Sequence, residues 1–204
     1  MPISHKHKTI FIHIPKTAGT SIERSLGIGE KNKDSFRHHD EHVVDKIKYA
    51  LQHYTSKMLI NNTLIKPYWK SYYKFTIVRH PYARVLSEYF WKKGKKTQGL
   101  EFDHQDFKDH LKSYYEKIDT DHKLSQTEYV YSSDGKILID EIFKFEEITK
   151  SFKIISNKLN LKSDLKQFNK SSNSAKYTEF LDKDDKNLIY KLYKNDFKNF
   201  RYAK

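Results

Sequence analysis

The 204-residue chain contains no cysteine. A disulfide framework and a thiolate metal site are therefore both excluded. Proline and glycine are scarce, at four and six residues, and no internal repeat or low-complexity linker interrupts the chain. No stretch approaches the ~20 apolar residues that a spanning helix needs. The apolar run in the opening MPISHKHKTIFIHIPK is too short for a secretory signal. The expectation is a soluble, cytoplasmic chain without stable membrane insertion.

What is present argues for a packed core. Fifteen tyrosines and thirteen phenylalanines are mixed with Ile and Leu, a composition unlike that of disordered chains. The length suffices for one sizeable core, so residues 1–204 are expected to form a single domain. Thirty-nine Lys and Arg against 26 Asp and Glu give a net charge of +13, spread along the whole length with no basic tail. Such a surface is either simply lysine-rich and well solvated or suited to an anionic partner: nucleic acid, a phosphorylated nucleotide or an acidic polymer.

KTIFIHI, residues 8–14, is nearly continuous in apolar residues, as a buried parallel strand is. Pro15 ends it, and Thr20 or Ser21 can cap a helix that runs to Leu26 and stops at Gly27. Residues 28–40 read as loop. From Asp40 onward, Val44, Ile47, Leu51, Tyr54 and Met58 recur at helical spacing until INNTLIKPYW breaks the pattern. YKFTIV, residues 73–78, is a second buried strand, followed by a helix with Pro81 in its first turn. Residues 102–131 read as one short helix among irregular segments, and SSDG, 132–135, as a turn. DEIFKF, 140–145, is a third strand, with a helix after it that places Ile148, Phe152, Ile155 and Leu159 on one face. Residues 168–177 form a polar loop, and one last helix begins at DKDD, its acids placed where the helix dipole favours them. Alternating strands and helices predict an α/β fold, a parallel central sheet flanked by helices. Ligands of such folds bind beyond the carboxyl ends of the strands.

Two turns lie there. PKTAGTS, residues 15–21, places several backbone N–H groups after a strand, with Gly19 permitting close approach, hydroxyls on Thr17, Thr20 and Ser21, and a charge on Lys16. It is shaped like a phosphate loop without being one of the Walker type, because the lysine precedes the glycine and no glycine opens the loop. The same residues would also suit an ordinary strand–helix turn with a surface lysine. At the second turn, Arg79 ends a strand and Ser87 lies eight positions on. The planar guanidinium fork matches a phosphate, although Arg79 could instead pair with an acid. Two anion sites at two strand ends suggest one ligand with two separated anionic groups.

Taken together, IFIHIPKTAGTSIERSLG and KFTIVRHPYARVLSEYF resemble the two nucleotide-binding motifs of the sulfotransferase family 2 group, which includes bacterial and carbohydrate sulfotransferases. The resemblance continues more weakly through DEIFKFEEI and FNKSSNSAKYTEFLD. It implies a P-loop-like sulfotransferase fold and a donor, 3′-phosphoadenosine 5′-phosphosulfate, used without a metal. By the same resemblance, Lys16, Thr17, Ala18, Gly19, Thr20 and Ser21 hold the 5′ end, and Arg79 and Ser87 hold the 3′-phosphate. Lys170 and Ser171 fall where relatives place a lid. Lys16 would also neutralise the oxygen that leaves as sulfate departs. The acceptor would be a hydroxyl compound, a carbohydrate being the expected class.

The acceptor hydroxyl needs a base, and family members often carry a histidine before the second helix. RHHDEHVVDKI offers His38, His39 and His42. His42 is the first choice because it precedes the Val44/Ile47 stripe, and His39 is the second. Asp40 and Glu41 are fallbacks, and His13, inside a strand, is expected to be a core residue. Imidazole suits the task because it titrates near neutrality. Two other functions compete. A nucleotide or small-molecule kinase lacks its GK[ST] signature here, and a basic nucleic-acid-binding module would explain the charge but not the paired motifs. Nucleic acid is therefore not an expected partner.

Overall fold

The computed structural model describes residues 3–28, 41–93, 102–161 and 178–204, the side chains of residues 41, 42 and 115 excepted. A four-stranded sheet runs through its centre in the order β1 (Ile3–Ser4), β2 (Thr9–Ile12), β5 (Tyr73–Val78) and β6 (Glu141–Lys144). β2 pairs with β5, and β5 with β6, in parallel, whereas β1 is an antiparallel edge on β2. The predicted strands 8–14, 73–78 and 140–145 are thus β2, β5 and β6. The register sets Ile12 opposite Thr76 and Val78 opposite Lys144, so the chain leaves β2, β5 and β6 on one side of the sheet.

Side chains alternate across the sheet with the strand period of two. Phe11, Phe75, Ile77 and Phe143 face Ile22 and Leu26 around α1 (Gly19–Ser25), together with Phe152, Ile155 and Leu159 of α6 (Ile148–Leu159). Ile10, Ile12 and Val78 join a second cluster with Leu59 of α2 (Ser56–Asn61), Tyr129 and Val130 of α5 (Gln126–Val130), and Phe200. The result is the expected α/β arrangement, with helices on both faces of a mostly parallel sheet. A third cluster packs α3 (Pro81–Lys92) against α4 (His104–Glu116), α7 (Lys183–Leu192) and α8 (Lys194–Asn199) through Leu86, Tyr89, Phe107, Leu111, Ile189 and Phe197.

α1 stops as the sequence predicts. Gly27 has φ 69°, its N–H donates to Arg24 O, and the Ile28 N–H reaches Glu23 O at 2.7 Å. These are the paired bonds of a Schellman stop, with Ile28 buried behind it. Its start differs from the expectation. Neither Thr20 nor Ser21 caps the helix; Ala18 occupies the cap position in the left-handed region, with φ 72° and no side-chain cap.

Three further expectations are corrected. The helix expected from Asp40 is a hairpin, β3 (Glu41–Val44) and β4 (Ile47–Ala50), followed by a 3-10 turn at Leu51–His53 and the short α2. Asp45 and Lys46 both have positive φ, 49° and 66°, the geometry of a type I′ hairpin turn. Val44, the first residue of the expected stripe, is 42 % exposed, so the apolar spacing there reflects no buried helical stripe. Residues 102–131 hold more structure than expected: the 13-residue α4 capped by Asp103, a 3-10 turn at Asp121–Lys123, and α5 with a Ser125/Glu128 capping box. The last helix keeps its acidic start, a capping box of Asp182 and Asp185, but breaks at Tyr193 into α7 and α8. No helix among the described residues is long and apolar enough to cross a membrane.

Candidate active site

The loop after β2 carries two left-handed residues, Lys16 at φ 70° and Ala18 at φ 72°. Alternation of this kind turns successive N–H groups towards one concavity, a nest suited to an anion. Thr17 fastens the loop, since its buried hydroxyl donates to Ile14 O at 2.8 Å. What Thr17 offers a ligand is therefore its N–H rather than its hydroxyl proton. Thr20 is half-buried and Ser21 is buried, in the first turn of α1.

Gly19 has a sharper requirement than close approach to a ligand. A Cβ built there would lie 1.9 Å from Cδ2 and Nε2 of His13. His13 is buried, as expected, and its Nδ1 lies 2.8 Å from Glu23 Oε1 on α1. The imidazole thus fills the space that any side chain at residue 19 would need, and joins β2 to α1 beneath the loop.

Arg79 leaves β5 and reaches this loop, its Nη1 donating to Lys16 O at 3.0 Å. The guanidinium is 2 % exposed and lies 4.1 Å from the centroid of Phe145, just beyond β6. Burial lowers its pKa to about 10, which leaves it cationic at neutral pH. The backbone of Arg79 is held by a residue that sequence reasoning missed. Gln126 accepts from Arg79 N at 2.8 Å and donates to Arg79 O at 2.7 Å, while Gln126 N donates to the buried Asp196. Ser87 is buried two turns into α3, on the helix that follows Arg79.

α3 is buried almost throughout, yet it carries Arg84, Ser87 and Glu88. Polar groups at such depth require partners. Arg84 donates to three carbonyls: Pro15 at 3.2 Å, Leu124 at 2.9 Å and His122 at 3.0 Å. It therefore ties the loop after β2 to the 122–124 segment. Glu88 Oε2 lies 2.6 Å from His122 Nδ1. His122 stacks on Trp91 at 4.8 Å, and the Lys16 ammonium stands 5.0 Å from the centroid of that same ring. Burial lowers the Lys16 pKa to about 8; the Glu88 carboxylate opposes the shift and Arg79 adds to it.

Behind His122 lies a second pair. His53 Nδ1 lies 2.9 Å from Asp121 Oδ2, which also accepts from Ala50 N at 2.8 Å. Burial lowers the His53 pKa to about 4, so its ring is neutral. The ring meets His13 at 4.7 Å and His122 at 5.2 Å, both edge to face. His53, Asp121 and His122 bring one ligating atom each within 4.8 Å of one another.

The loop residues Lys16–Ser21 and Arg79 thus come together, with Ser87 on the adjoining helix. His42 stands on β3 opposite Tyr49 of β4, not at the front of a helix. His38, His39, Asp40, Lys170 and Ser171 lie outside the described residues. Sequence reasoning missed His53, Glu88, Asp121, His122 and Gln126. No local signal pointed to them, because the pairings of His122 with Glu88 and of His53 with Asp121 join residues 34 and 68 positions apart.

The chain matches the model of the Sulfotransferase family over residues 1–203. No curated protein and no solved structure matches it.

Proposed function

Since the chain belongs to the sulfotransferase family, we propose that it moves a sulfuryl group from 3′-phosphoadenosine 5′-phosphosulfate to an acceptor hydroxyl, with a carbohydrate as acceptor. One observation carries the reading: Arg79 and Lys16, on the turns after two adjacent parallel strands, are joined at 3.0 Å. Two cationic groups and a nest of N–H groups suit a nucleotide bearing phosphate at both ends. The loop residues Lys16, Thr17, Ala18, Gly19, Thr20 and Ser21 hold the 5′-phosphosulfate, and Arg79 with Ser87 holds the 3′-phosphate.

The acceptor oxygen attacks sulfur in line, and the bond to the bridging phosphate oxygen breaks with its electron pair on the phosphate. Lys16 meets more negative charge there in the transition state than in the ground state. None of this chemistry requires a metal ion. Trp91, 57 % exposed beside Lys16 and His122, adds aromatic surface that a sugar can contact. The net charge of +13 favours an acidic glycan.

Isothermal titration with adenosine 3′,5′-bisphosphate, in the absence of magnesium, tests the reading. Binding that is weakened for adenosine 5′-phosphate supports it. ATP binding that depends on magnesium, with no bisphosphate binding, would replace it with a kinase.

A further inference from the structure

We infer that His122, oriented by Glu88, is the group that takes the acceptor's proton, a role the sequence alone assigned to His42. The inference rests on the proposed sulfuryl transfer and names a catalytic residue for it.

Three requirements define such a base: a fixed tautomer, a nitrogen lone pair left for the substrate, and a place beside the reacting atoms. His122 meets all three. Its Nδ1 is 2.6 Å from the Glu88 carboxylate, and a carboxylate accepts, so Nδ1 carries the proton and Nε2 the lone pair. Nε2 lies 4.0 Å from Asp121 Oδ1, too far for a hydrogen bond. Its side chain is 15 % exposed, and it shares the Trp91 ring with the Lys16 ammonium.

His53 is less suited. It is buried deeper, its pKa is lowered to about 4, and its Nε2 meets the Gln52 amide at 3.4 Å. The charged and titratable groups around His122 include Glu88 and Arg84 on α3, Lys92 paired with Glu88, Asp121 in its own turn, His53 behind it and Lys16 on the loop after β2. Arg84 holds the backbone carbonyl of His122, so a side-chain substitution leaves that anchor intact.

In the step itself, the acceptor's O–H proton passes to His122 Nε2 as the oxygen bonds to sulfur. The sulfur–oxygen bond to the phosphate breaks, and adenosine 3′,5′-bisphosphate departs. Glu88 is a positioning residue that keeps Nε2 aimed and unprotonated.

The test compares His122→Gln, Glu88→Gln and His42→Gln. Transfer of labelled sulfate from 3′-phosphoadenosine 5′-phosphosulfate is read on N-acetylheparosan and as sulfate released to water. Calorimetry with adenosine 3′,5′-bisphosphate runs in parallel. His122→Gln is expected to lower kcat about a hundredfold or more, keep bisphosphate Kd within about twofold, and abolish the acid limb of the pH profile. Glu88→Gln is expected to keep part of the turnover, lowering kcat while leaving the donor KM within about twofold, since the ring loses the carboxylate that aims it. In the unaltered chain bound to bisphosphate at pH 7.5, nitrogen NMR is expected to find His122 protonated at Nδ1 only. Normal turnover in His122→Gln, the hundredfold loss appearing in His42→Gln instead, or an Nε2-protonated His122 would each overturn the inference. So would turnover abolished by a chelator and restored by zinc, which would assign the His53, Asp121 and His122 cluster to a metal. Failure of the unaltered chain to bind bisphosphate would overturn the proposed function and this inference with it. Bisphosphate binding with normal turnover in His122→Gln would overturn this inference alone.

Discussion

Arg79 Nη1 donates to the carbonyl oxygen of Lys16 at 3.0 Å, so the cation at one strand end holds the backbone of the cation-bearing loop at another. The contact couples two stretches of chain 63 residues apart. It also means that Arg79 has a structural duty as well as the proposed binding one, which shapes what its removal should do.

Arg79→Ala should weaken adenosine 3′,5′-bisphosphate by ten- to a hundredfold, the size expected when charge-assisted hydrogen bonds of about 1.5–3 kcal/mol are lost. The loss for adenosine 5′-phosphate should be smaller, reflecting only the loosened Lys16 loop. Titration calorimetry on both ligands measures the difference. Equal losses would remove Arg79 from the 3′-phosphate and leave it the structural contact alone.

Lys16 supplies a pH dependence. Burial lowers its pKa to about 8 in the free protein, and a bound anion favours the protonated form. Bisphosphate affinity should therefore be fullest below pH 8 and fall as pH rises through it, by up to about tenfold per unit for one coupled proton. Lys16→Ala should flatten this limb and lower kcat more than it raises the donor KM. A change confined to KM would make Lys16 a binding residue only.

Gly19→Ala should destabilise the protein by about 1–3 kcal/mol, the usual cost of forcing atoms into a packed site. The added methyl would lie 1.9 Å from the His13 ring, which the Glu23 contact holds in place. Thermal melts of Gly19→Ala and of Gly19→Ala with His13→Ala measure the effect. The second substitution should recover part of the loss by vacating the space; full additivity would mean that the ring is not the obstacle.

Acid should unfold the chain through its neutral histidines. Burial holds the pKa of both His53 and His110 at about 4, with Lys92 adding to the effect at His110, against about 6.5 when unfolded. Between pH 6.5 and 4 the unfolded state binds the protons that the native state refuses. Stability should therefore fall with falling pH, by at most about 1.4 kcal/mol per pH unit for each histidine. Urea titrations from pH 7 to 4.5 measure the slope, and His110→Phe should make it shallower. A slope unchanged by His110→Phe would show that His110 does not contribute.

Legibility along the chain followed the range of the cause. β2, β5 and α3 were readable because a continuous apolar run, or Pro81 at a helix start, is a local signal. The β3–β4 hairpin was not, because its turn uses Asp45 and Lys46 in place of a glycine, and its exposed valines imitate a helical stripe. The break at Tyr193 was also hidden, since the acidic start and apolar spacing of the last segment suit one helix as well as two.

The candidate site divides in the same way. Sequence by itself placed the loop Lys16–Ser21 and Arg79 at two strand ends, because each turn and the strand before it are built from neighbouring residues. Only the tertiary structure decided that Lys16 meets Arg79, that the His13 ring demands Gly19, and that Glu88, His122, Asp121 and His53 converge. Those groups come from α3 and from the turns at Leu51–His53 and Asp121–Lys123. Their encounter depends on how α3 packs and on Arg84 fastening Pro15, His122 and Leu124, and no local pattern of residues encodes contacts over such separations.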